Sequence, residues 1–520
     1  SPLARYAKLP PAKIAETICR HIDIDDIDTS CIAGFINFKA GKNRLSGCIE
    51  KIISKADDFG RNDTGNGEKV MLEYVSANPT GPLHIGHGRW AAVGSALAEL
   101  MKFSGYDVYQ EFYINDYGNQ MNRLFESFLL RLYQLNGHDL PLPEDEIGKK
   151  NYYPGEYLVD LAKKYLNENP NSFEKIKECI DITHYDAEAG LYVIVGSGSQ
   201  PVEEPPASIE LRKELLNYIK GEMLEQQRNL LSRLGVHFDN WFSETTLHEQ
   251  GKVEEAIKKL ENAGKTYEQD GALWFRSTEY GDDQNRVIIK NDGKYTYLTA
   301  DIAYHFDKLE RGFERLINIW GADHHGYVAR IKAAIEALGK DSSCLEVLLG
   351  QLVNLIISGE QVRMGKRRKM VTLEELVDEV GTDGTRFWMI MRDINTTLDF
   401  DVDLAMSCSD ENPVYYAQYA HARLCSILRT AVSERPDRET GNVLPPLLTA
   451  DELARLFAPA TLDASLLSAL WKTEDEKELE STKNLILRLE SFDDLVVAAA
   501  KGRTPYMIAR YTQDLAKDFH

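Results

Sequence analysis

The clearest pattern of apolar and polar positions begins at residue 70. A short apolar run at residues 70–75 is followed by a turn-like segment, Ser-Ala-Asn-Pro-Thr-Gly-Pro, at residues 76–82. Small and apolar residues then recur at helical spacing over residues 86–103, and residues 108–114 form another strand-like run. A strand, a helix and a strand in this order predict a βαβ unit, and therefore an α/β fold with a doubly wound, Rossmann-like parallel sheet.

Residues 115–290 are more polar and predict an insertion into this fold. Helical spacing is clearest near residues 117–135, 155–167 and 207–234. At the end of the insertion, an Asp-Gly pair lies between two β-like runs within residues 287–297, which predicts a hairpin.

A second strand end is predicted at the same edge of the sheet. The apolar run at residues 316–320 leads into the loop Gly-Ala-Asp-His-His-Gly at residues 321–326, and a helix follows over residues 327–338. Because the ends of parallel strands meet at one edge, we expect this loop to lie beside the turn at residues 76–82.

Three domains are predicted along the chain. Residues 1–67 mix short apolar runs with turn residues, end in a polar, glycine-rich segment and are assigned to an N-terminal α/β domain. Residues 68–405 contain the Rossmann-like sheet. Residues 406–520 are helical almost throughout and predict an all-α helical domain at the C-terminus.

Composition narrows the possible partners. The net charge of −22 opposes general attraction to nucleic acid, so a polyanion must be met by local positive charge. No apolar run approaches the ~18 residues of a membrane span, and the first residues lack the layout of a secretory signal, so we expect a cytoplasmic protein with no membrane partner. The seven cysteines form no C-x-x-C pair, which argues against a disulfide framework and a structural zinc site.

The first candidate site is His-Ile-Gly-His at residues 84–87, where the predicted strand turns into the predicted helix. Two imidazoles in a first helical turn, beside free backbone N–H groups, suit the phosphates of a nucleotide. Gly86 would let such a ligand approach the backbone closely. A capped helix whose histidines only pack or face water is equally consistent with the pattern, so the residues alone leave both interpretations open.

A dense cluster of positive charge occupies residues 363–370, Arg-Met-Gly-Lys-Arg-Arg-Lys-Met. Such a loop would clamp a triphosphate and follow the charge that moves onto pyrophosphate. In isolation a solvated basic loop is the simpler interpretation, although the cluster stands out in an acidic chain. Thr-Leu-Glu-Glu at residues 372–375 is a capping-box pattern, so a helix should begin directly after the loop.

These motifs resemble those of a known family. The His-Ile-Gly-His sequence resembles the HIGH signature of class I aminoacyl-tRNA synthetases, and Glu-Tyr-Val-Ser-Ala-Asn-Pro at residues 73–79 resembles the arginyl-tRNA synthetases in particular. The similarity extends over essentially the whole chain. It places Lys366 on the second lysine of the family's KMSKS loop and Met364 in the same loop, which is one residue shorter here than in similar sequences.

The resemblance implies a site for ATP. His84 and His87 would act on the phosphates and Lys366 on the transition state, as the catalytic residues. The implied ATP-binding residues are His84, Gly86, His87, Asp323, His324, Met364 and Lys366. A metal site is the alternative for the Asp-His-His loop, but no further carboxylate or cysteine lies at ligand spacing, so no protein metal site is predicted and Mg²⁺ is expected with ATP.

A pocket for arginine must present carboxylates, because a guanidinium has five donors in a fixed plane and no acceptor. Glu73 precedes the HIGH turn, and Asp301 begins a helical stretch at the same edge. Both match arginine-binding positions of the family, as do Tyr297 against the side chain and Ser76 and Asn78 near the α-amino and carboxylate groups. Taken singly, each has a simpler interpretation: a surface charge for Glu73, a helix cap for Asp301 and hairpin packing for Tyr297.

The helix rich in aromatic residues after residue 412 resembles the start of the family's anticodon-binding domain. Arg423 and Arg429 are expected to contact tRNA, because cations beside aromatic rings suit unstacked bases. Tyrosines at helical spacing are more often core residues, and Tyr415 and Tyr419 are predicted as core.

The resemblance therefore implies an enzyme that activates L-arginine with ATP and transfers it to tRNA-Arg. Residues 1–67 would touch the tRNA elbow, and the helical domain of the family would continue past residue 520, so anticodon contacts are expected to be incomplete. A monomer is expected. Two alternatives stay open: another adenylyl transferase with an HxGH motif, and a noncatalytic RNA-binding protein that has kept the fold.

Overall fold

The chain is organised in two structural units. The computed structural model describes residues 2–195, 205–362, 372–436, 442–456, 471–472 and 475–520. One unit combines Ser1–Thr64 with Ser407–His520, and the other is Gly65–Met406.

The first unit begins with a small α/β segment. Its elements are the helices and antiparallel strands α1 (Pro2–Ala7), α2 (Pro11–Cys19), β1 (Ile27–Ile32), β2 (Phe35–Ala40) and α3 (Lys42–Lys55). Leu45 and Cys48 of α3 are buried in one apolar cluster with Ile486, so the segment shares a core with the C-terminal helices of the same unit.

Five parallel strands form the central sheet of the second unit. They are β3 (Lys69–Glu73), β4 (Asp107–Ile114), β7 (Asn240–Ser243), β11 (Arg315–Gly321) and β12 (Leu345–Gly350). Their order across the sheet is β12-β11-β3-β4-β7, so β3, the first of the five along the chain, is central, and the direction of winding reverses between β3 and β11. This is a doubly wound, Rossmann-like arrangement, and the predicted fold class is confirmed.

Helix α4 (Ile85–Phe103) connects β3 to β4, in agreement with the helix predicted over residues 86–103. The residues of β3 after Lys69 are all buried, because a central strand is covered on both faces. Gly94 of α4 lies against the ring of Tyr74, and a Cβ there would come within 2.3 Å of that ring. Glycine therefore allows the helix to approach the strand closely.

An insertion with its own apolar core follows β4. Its elements are α5 (Asn119–Leu135), α6 (Gly148–Asn151), α7 (Tyr157–Glu168), α8 (Ser172–Cys179), β5 (Asp181–Asp186), β6 (Leu191–Val195) and α9 (Pro206–Arg233). Phe128, Leu158 and Leu215 are central in this core. The three helices predicted here are present, and β7, within the same predicted insertion, belongs to the central sheet.

The chain between β7 and β11 builds a second layer against the sheet. Its elements are α10 (Glu244–Glu249), α11 (Lys252–Asn262), β8 (Thr266–Gln269), β9 (Ala272–Phe275), β10 (Arg286–Ile289) and α12 (Tyr297–Glu310). The hairpin predicted within residues 287–297 is confirmed: Ile289 and Tyr295 form an antiparallel bridge, and the backbone N–H of Thr296 donates to the carbonyl of Ile288 at 3.1 Å. Helix α12 begins directly after the second arm, where Leu298 and Ile302 bury one helical face in the core.

The remaining elements of this unit follow β11. They are α13 (His325–Ala337), β13 (Val353–Ile357), β14 (Glu360–Val362), α14 (Leu373–Val380), α15 (Thr382–Ile390), β15 (Leu398–Asp401) and α16 (Val402–Met406). Strand β13 pairs with β14 and β15 in a separate small sheet. The described residues up to Met406 also contain four short 3₁₀ helices: Ala56–Asp58, Ser277–Tyr280, Ala322–His324 and Ser342–Cys344.

The described residues in the C-terminal part of the first unit are mostly helical and include one pair of two-residue strands. Its elements are α17 (Pro413–Ala431), the strands Arg435–Pro436 and Val443–Leu444, and the helices Ala450–Leu456, Glu476–Glu490, Phe492–Gly502 and Tyr506–Phe519. Across the described ranges of both units, no helix has the length and apolar character that a membrane crossing requires.

Candidate active site

A cavity of about 670 Å³ opens at the carboxyl ends of β3, β4 and β11. It lies where the winding of the sheet reverses, which is where doubly wound folds bind ligands. Residues predicted from separate parts of the sequence line its wall: Glu73, Ser76, Asn78, His87, Tyr297, Asp301, Asp323 and His324.

The two histidines of the HIGH sequence cap helix α4 reciprocally. The backbone N–H of His84 donates to Nδ1 of His87 at 3.3 Å, and the backbone N–H of His87 donates to Nδ1 of His84 at 3.4 Å. Both Nδ1 atoms are therefore acceptors, which places the proton of each neutral ring on Nε2. The rings stack with their centroids 3.5 Å apart, so the two Nε2–H donors belong to one aromatic pair.

Burial keeps this histidine pair neutral. Desolvation lowers the pKa of His84, and desolvation together with the charge of His84 lowers the pKa of His87 to about 3. Neutral rings at a helix N-terminus present N–H donors beside a positive helix end, and that combination suits the oxygen atoms of a phosphate chain.

The segment that follows the basic loop is anchored to the start of α4. Thr372 forms a β-bridge with His84, and the backbone N–H of Leu373 donates to the carbonyl of Leu83 at 2.9 Å. A Cβ on Gly88 would come within 2.4 Å of Leu373, so glycine is required for this close approach.

The predicted capping box is confirmed at the start of α14. The backbone N–H of Thr372 donates to Oε2 of Glu375 at 2.8 Å, and the backbone N–H of Glu375 donates to Oγ1 of Thr372 at 3.1 Å. The predicted ATP-binding residues Met364 and Lys366 lie outside the described residues.

The turn after β3 contains two consecutive residues in the left-handed region, Val75 with φ 69° and Ser76 with φ 43°. A β-branched residue is rarely found there, because its Cβ substituents crowd the backbone. The hydroxyl of Ser76 donates to Oε1 of Glu73 at 2.9 Å and accepts the backbone N–H of Tyr113 at 3.2 Å. The strained turn thus holds the Ser76 hydroxyl between Glu73 and the backbone of Tyr113 in the wall of the cavity. Strained backbone is often found at binding sites.

The insertion holds the next part of the turn in place. The amide of Asn78 donates to Oε1 of Gln120 at 2.7 Å. The buried amide of Gln227 on α9 donates to the carbonyls of Asn78 and Gly81, both at 3.2 Å, and the hydroxyl of Tyr157 donates to the carbonyl of Thr80 at 2.5 Å. Side chains of α5, α7 and α9 therefore set the position of Asn78.

Glu73 has a cationic partner within the chain. Nζ of Lys308, on α12, lies 2.6 Å from Oε2 of Glu73 and 3.2 Å from Oδ1 of Asn318. Glu73 is only 6 % exposed and lies on the central strand, so the interpretation as a surface charge is wrong. The pair is buried, and the other oxygen of Glu73 is held by Ser76.

Asp301 has no such cation among the described residues. Its Oδ2 accepts the hydroxyl of Tyr327 at 2.6 Å. Desolvation first, and then the charge of Glu73, raise the pKa of Asp301 to about 6. Desolvation and the charge of Asp301 also raise the pKa of buried Glu244, the first residue of α10, to about 7, and Glu244 is hydrogen-bonded to Tyr113.

The rim of the cavity is more open. Tyr297, the first residue of α12, is 65 % exposed, so it does not pack in a hairpin as its alternative interpretation required. Asp323 and His324 lie in the 3₁₀ turn after β11, with exposed side chains. Trp90 of α4 also lines the cavity, and its indole occupies the space that a Cβ on Gly350 would need.

Comparison with known proteins shows which family this chain resembles. Residues 48–389 match the family described as the catalytic domain of class I tRNA synthetases (R), and residues 417–520 match the DALR anticodon-binding domain. An arginine–tRNA ligase of Geobacillus thermodenitrificans is 44 % identical over 523 residues, and that of Bacillus subtilis is 42 % identical over 524 residues. Each match covers 100 % of this chain and 82 % of the relative.

The chain belongs to the arginyl-tRNA synthetase family.

Solved structures of the family share its fold. A Campylobacter jejuni protein assigned as an arginyl-tRNA synthetase superposes with a TM-score of 0.72 at 31 % identity, covering 92 % of this chain and 90 % of that one. The Thermus thermophilus arginyl-tRNA synthetase superposes with a TM-score of 0.64 at 21 % identity, covering 99 % of this chain and 84 % of that one. The second comparison supports the fold alone.

The residues predicted to contact tRNA lie in the other unit. Arg423 and Arg429 are exposed on α17, within the match to the DALR domain, and Nη1 of Arg423 lies 3.2 Å from Nδ1 of His520. The core prediction for Tyr419 is wrong, because this residue is 44 % exposed, and Tyr415 is only half-buried beside it. Their rings stack on the surface of the helix, where successive turns align them.

Sequence reasoning missed several residues of the arginyl-tRNA synthetase site. Those with the closest contacts are Lys308, Glu244, Tyr327, Gln120 and Trp90. Spacing offered a signal only for Trp90, which follows His87 by three residues on the same helix. The others come from distant segments that meet only when the sheet is formed.

Proposed function

We propose that this chain catalyses the ATP-dependent activation of L-arginine and its transfer to the 3′ end of tRNA-Arg. The observation that carries the proposal is the position of Asp301, a carboxylate with no cation of its own among the described residues, in the cavity that also contains His87. A cationic side chain and a triphosphate would thus be held in one space, as adenylate formation requires.

The arginine substrate enters with its guanidinium toward Asp301. That carboxylate forms no ion pair with a described cation, whereas Glu73 is already paired with Lys308; a cation bound here would also favour ionisation of the nearby Glu244, whose pKa burial raises to about 7. A planar guanidinium forms strong, charge-assisted hydrogen bonds with such carboxylates. Tyr297 lies along the side chain, at the rim.

The other end of arginine lies against the turn after β3. Glu73, Ser76 and Asn78 are assigned to its α-amino and carboxylate groups, since they line the cavity between Asp301 and the start of α4. The left-handed turn and the contacts from the insertion hold these three residues before substrate arrives, which reduces the entropy lost on binding.

ATP binds between α4 and the turn after β11. His84, His87 and the backbone at Gly86 receive the phosphates, and Asp323 and His324 hold the adenosine. Met364 and Lys366 complete the ATP site from the basic loop, a role that follows from the family motif alone.

The chemistry is a displacement at phosphorus. A carboxylate oxygen of arginine attacks the α-phosphorus, the bond to the bridging oxygen breaks, and pyrophosphate leaves with the electron pair. The Nε2–H donors of His84 and His87 and the ammonium of Lys366 stabilise the charge that develops on the phosphate oxygens. Mg²⁺ enters with ATP, since it prefers substrate phosphates and water as ligands, and it supplies further charge stabilisation there.

The 2′ or 3′ hydroxyl of the terminal ribose of tRNA then attacks the arginyl carbonyl, and AMP leaves. We assign this catalytic work to residues 68–405, contact with the tRNA elbow to residues 1–67, and anticodon binding to residues 406–520 through Arg423 and Arg429. Cations beside the exposed ring of Tyr419 suit unstacked bases. The chain is proposed to act as a cytoplasmic monomer.

ATP–pyrophosphate exchange with each amino acid, with and without tRNA, tests the proposal. Exchange with arginine and no other amino acid, and only in the presence of tRNA, supports it. Exchange with a different amino acid would indicate another adenylyl transferase, and no exchange under any condition would indicate a noncatalytic RNA-binding protein.

A further inference from the structure

Lys308 is a fully buried lysine beneath the arginine pocket, and the mechanism above does not use it. Its ammonium donates to Oε2 of Glu73 at 2.6 Å and to Oδ1 of Asn318 at 3.2 Å, and it lies 4.2 Å from the centroid of the Tyr304 ring. Three groups from β3, β11 and α12 thus surround it. Burial of a charge costs free energy unless the charge is paired. The presence of a buried ammonium at this position therefore needs an explanation.

A chain of hydrogen bonds connects this ion pair to Asp301. Nδ2 of Asn318 contacts Nε2 of His305 at 2.8 Å, and Nδ1 of His305 contacts the backbone carbonyl of Asp301 at 2.8 Å. The carbonyl can only accept, so Nδ1 of His305 carries the proton and Nε2 accepts from Asn318. Desolvation and the charge of Lys308 lower the pKa of His305 to about 3, which keeps this ring neutral. Each hydrogen bond between Lys308 and Asp301 therefore keeps the same donor and the same acceptor.

The two carboxylates of the pocket, Glu73 and Asp301, differ in their charged partners. Glu73 and Asp301 interact electrostatically, but only Glu73 has a cation of the described chain beside it. The groups that face Asp301 are Glu73 on β3, Tyr113 on β4, Glu244 on α10, Lys308 on its own helix and Tyr327 on α13. Lys308 is the positive charge of this set. Its charge favours ionisation of Asp301, whereas the charges of the neighbouring carboxylates oppose it.

We propose that Lys308 is a positioning residue that neutralises Glu73 and thereby keeps Asp301 ionised as the acceptor of the guanidinium group. The inference rests on the proposed binding of arginine at Asp301. Without Lys308, the two interacting carboxylates of the pocket would have no cation beside them, and nearby like charges oppose ionisation of each other. Asp301 would then take up a proton at a higher pH and lose its attraction for a cation.

The test uses the full chain with Lys308→Met, which removes the ammonium but keeps most of the side-chain volume. Arginine binding is measured by calorimetry between about pH 5 and pH 9. In the unchanged chain, affinity should fall as the pH decreases through about 6, where Asp301 is protonated. In the variant, we expect this decrease to move up by about one pH unit, so that arginine binds roughly fivefold more weakly at about pH 6.

At about pH 9 the variant should bind arginine at least as tightly as the unchanged chain, because both carboxylates are then ionised. A general structural defect would weaken binding at every pH. Affinity for ATP should change by less than about twofold, since the histidines at the start of α4 do not contact Lys308. An unchanged pH midpoint in Lys308→Met would overturn the inference.

Two further variants keep the result decisive. Lys259→Met removes a lysine of α11 that pairs with Glu310 of α12 outside the pocket, and its midpoint should not move. The double variant Lys308→Met with Glu73→Gln removes both charges of the pair, so its midpoint should return toward that of the unchanged chain. If Lys308→Met fails to fold, the comparison of Glu73→Gln with the double variant decides: a midpoint about one unit lower in Glu73→Gln, where the ammonium of Lys308 remains, supports the inference, and equal midpoints overturn it.

Failure of the proposed function would look different. An unchanged chain that binds no arginine at any pH contradicts the assignment of the pocket itself. An unchanged chain that binds arginine with a midpoint near 6, beside a Lys308→Met variant with the same midpoint, contradicts only the role of Lys308.

Discussion

The carboxylate of Asp301 accepts a hydrogen bond of 2.6 Å from the hydroxyl of Tyr327, and no described cation forms an ion pair with it. Tyr327 follows β11 in the chain, whereas Asp301 lies on the helix before that strand. The contact therefore joins α12, which precedes β11, to α13, which follows it, in the wall of the cavity. It orients one carboxylate oxygen and leaves the other for a substrate.

Replacement of Asp301 by Asn should reduce arginine affinity by about 100-fold, because one charge-assisted contact is lost while the shape is preserved. Binding calorimetry at about pH 8 measures this change. Asp307→Asn provides a control on the same helix, since Asp307 pairs with Arg311 instead of lining the cavity. Equal loss in both variants would contradict a direct role for Asp301.

The same Asp301→Asn variant should stabilise the chain in the absence of arginine. Burial raises the folded-state pKa of Asp301 to about 6, above the ~3.9 of an unfolded chain, so ionisation of this group destabilises the folded state as the pH rises through that interval. At about pH 7 the variant should gain roughly 1–2 kcal/mol, after allowance for screening by water in the cavity. Urea unfolding at about pH 4 and pH 7 tests the sign, because the gain should vanish at the lower pH.

Replacement of Gly88 by Ala should separate the start of α4 from the segment after the basic loop. The new methyl group would come within 2.4 Å of Leu373, and overpacking of this kind costs about 1–3 kcal/mol. We expect a higher KM for ATP together with lower stability in urea. Gly221→Ala is the matched control, since this helical glycine of α9 has open space at its Cβ position and alanine should stabilise by about 1 kcal/mol.

Replacement of Gln227 by Leu should affect arginine more than ATP. Two carbonyls, of Asn78 and Gly81, lose the donor that holds them, and unsatisfied buried acceptors cost about 1–3 kcal/mol each. The turn that carries Asn78 should loosen, and KM for arginine should rise about tenfold while KM for ATP changes little. Similar increases in both constants would show that the substitution acts through general unfolding.

The strand, helix and turn that form the phosphate end of the site could be predicted because they are contiguous in the chain. The apolar run of β3, the helical spacing of α4 and the capping pattern at Thr372 are each local signals that survive folding unchanged. The core prediction for Tyr419 failed for the opposite reason. Helical spacing places this residue on a face of α17, but its burial depends on which elements pack against that face, and the side chain is exposed.

Sequence by itself determined the Rossmann-like architecture, the family motifs and eight of the 20 residues that line the cavity, since periodicity and short motifs require only near neighbours along the chain. Only the tertiary structure decided the charge of each group in the pocket. Lys308 is 235 positions from Glu73, and their ion pair exists because β3 lies beside β11 under α12. Ionisation depends on burial and on charges brought together across the sheet, and neither quantity can be read from the order of the residues.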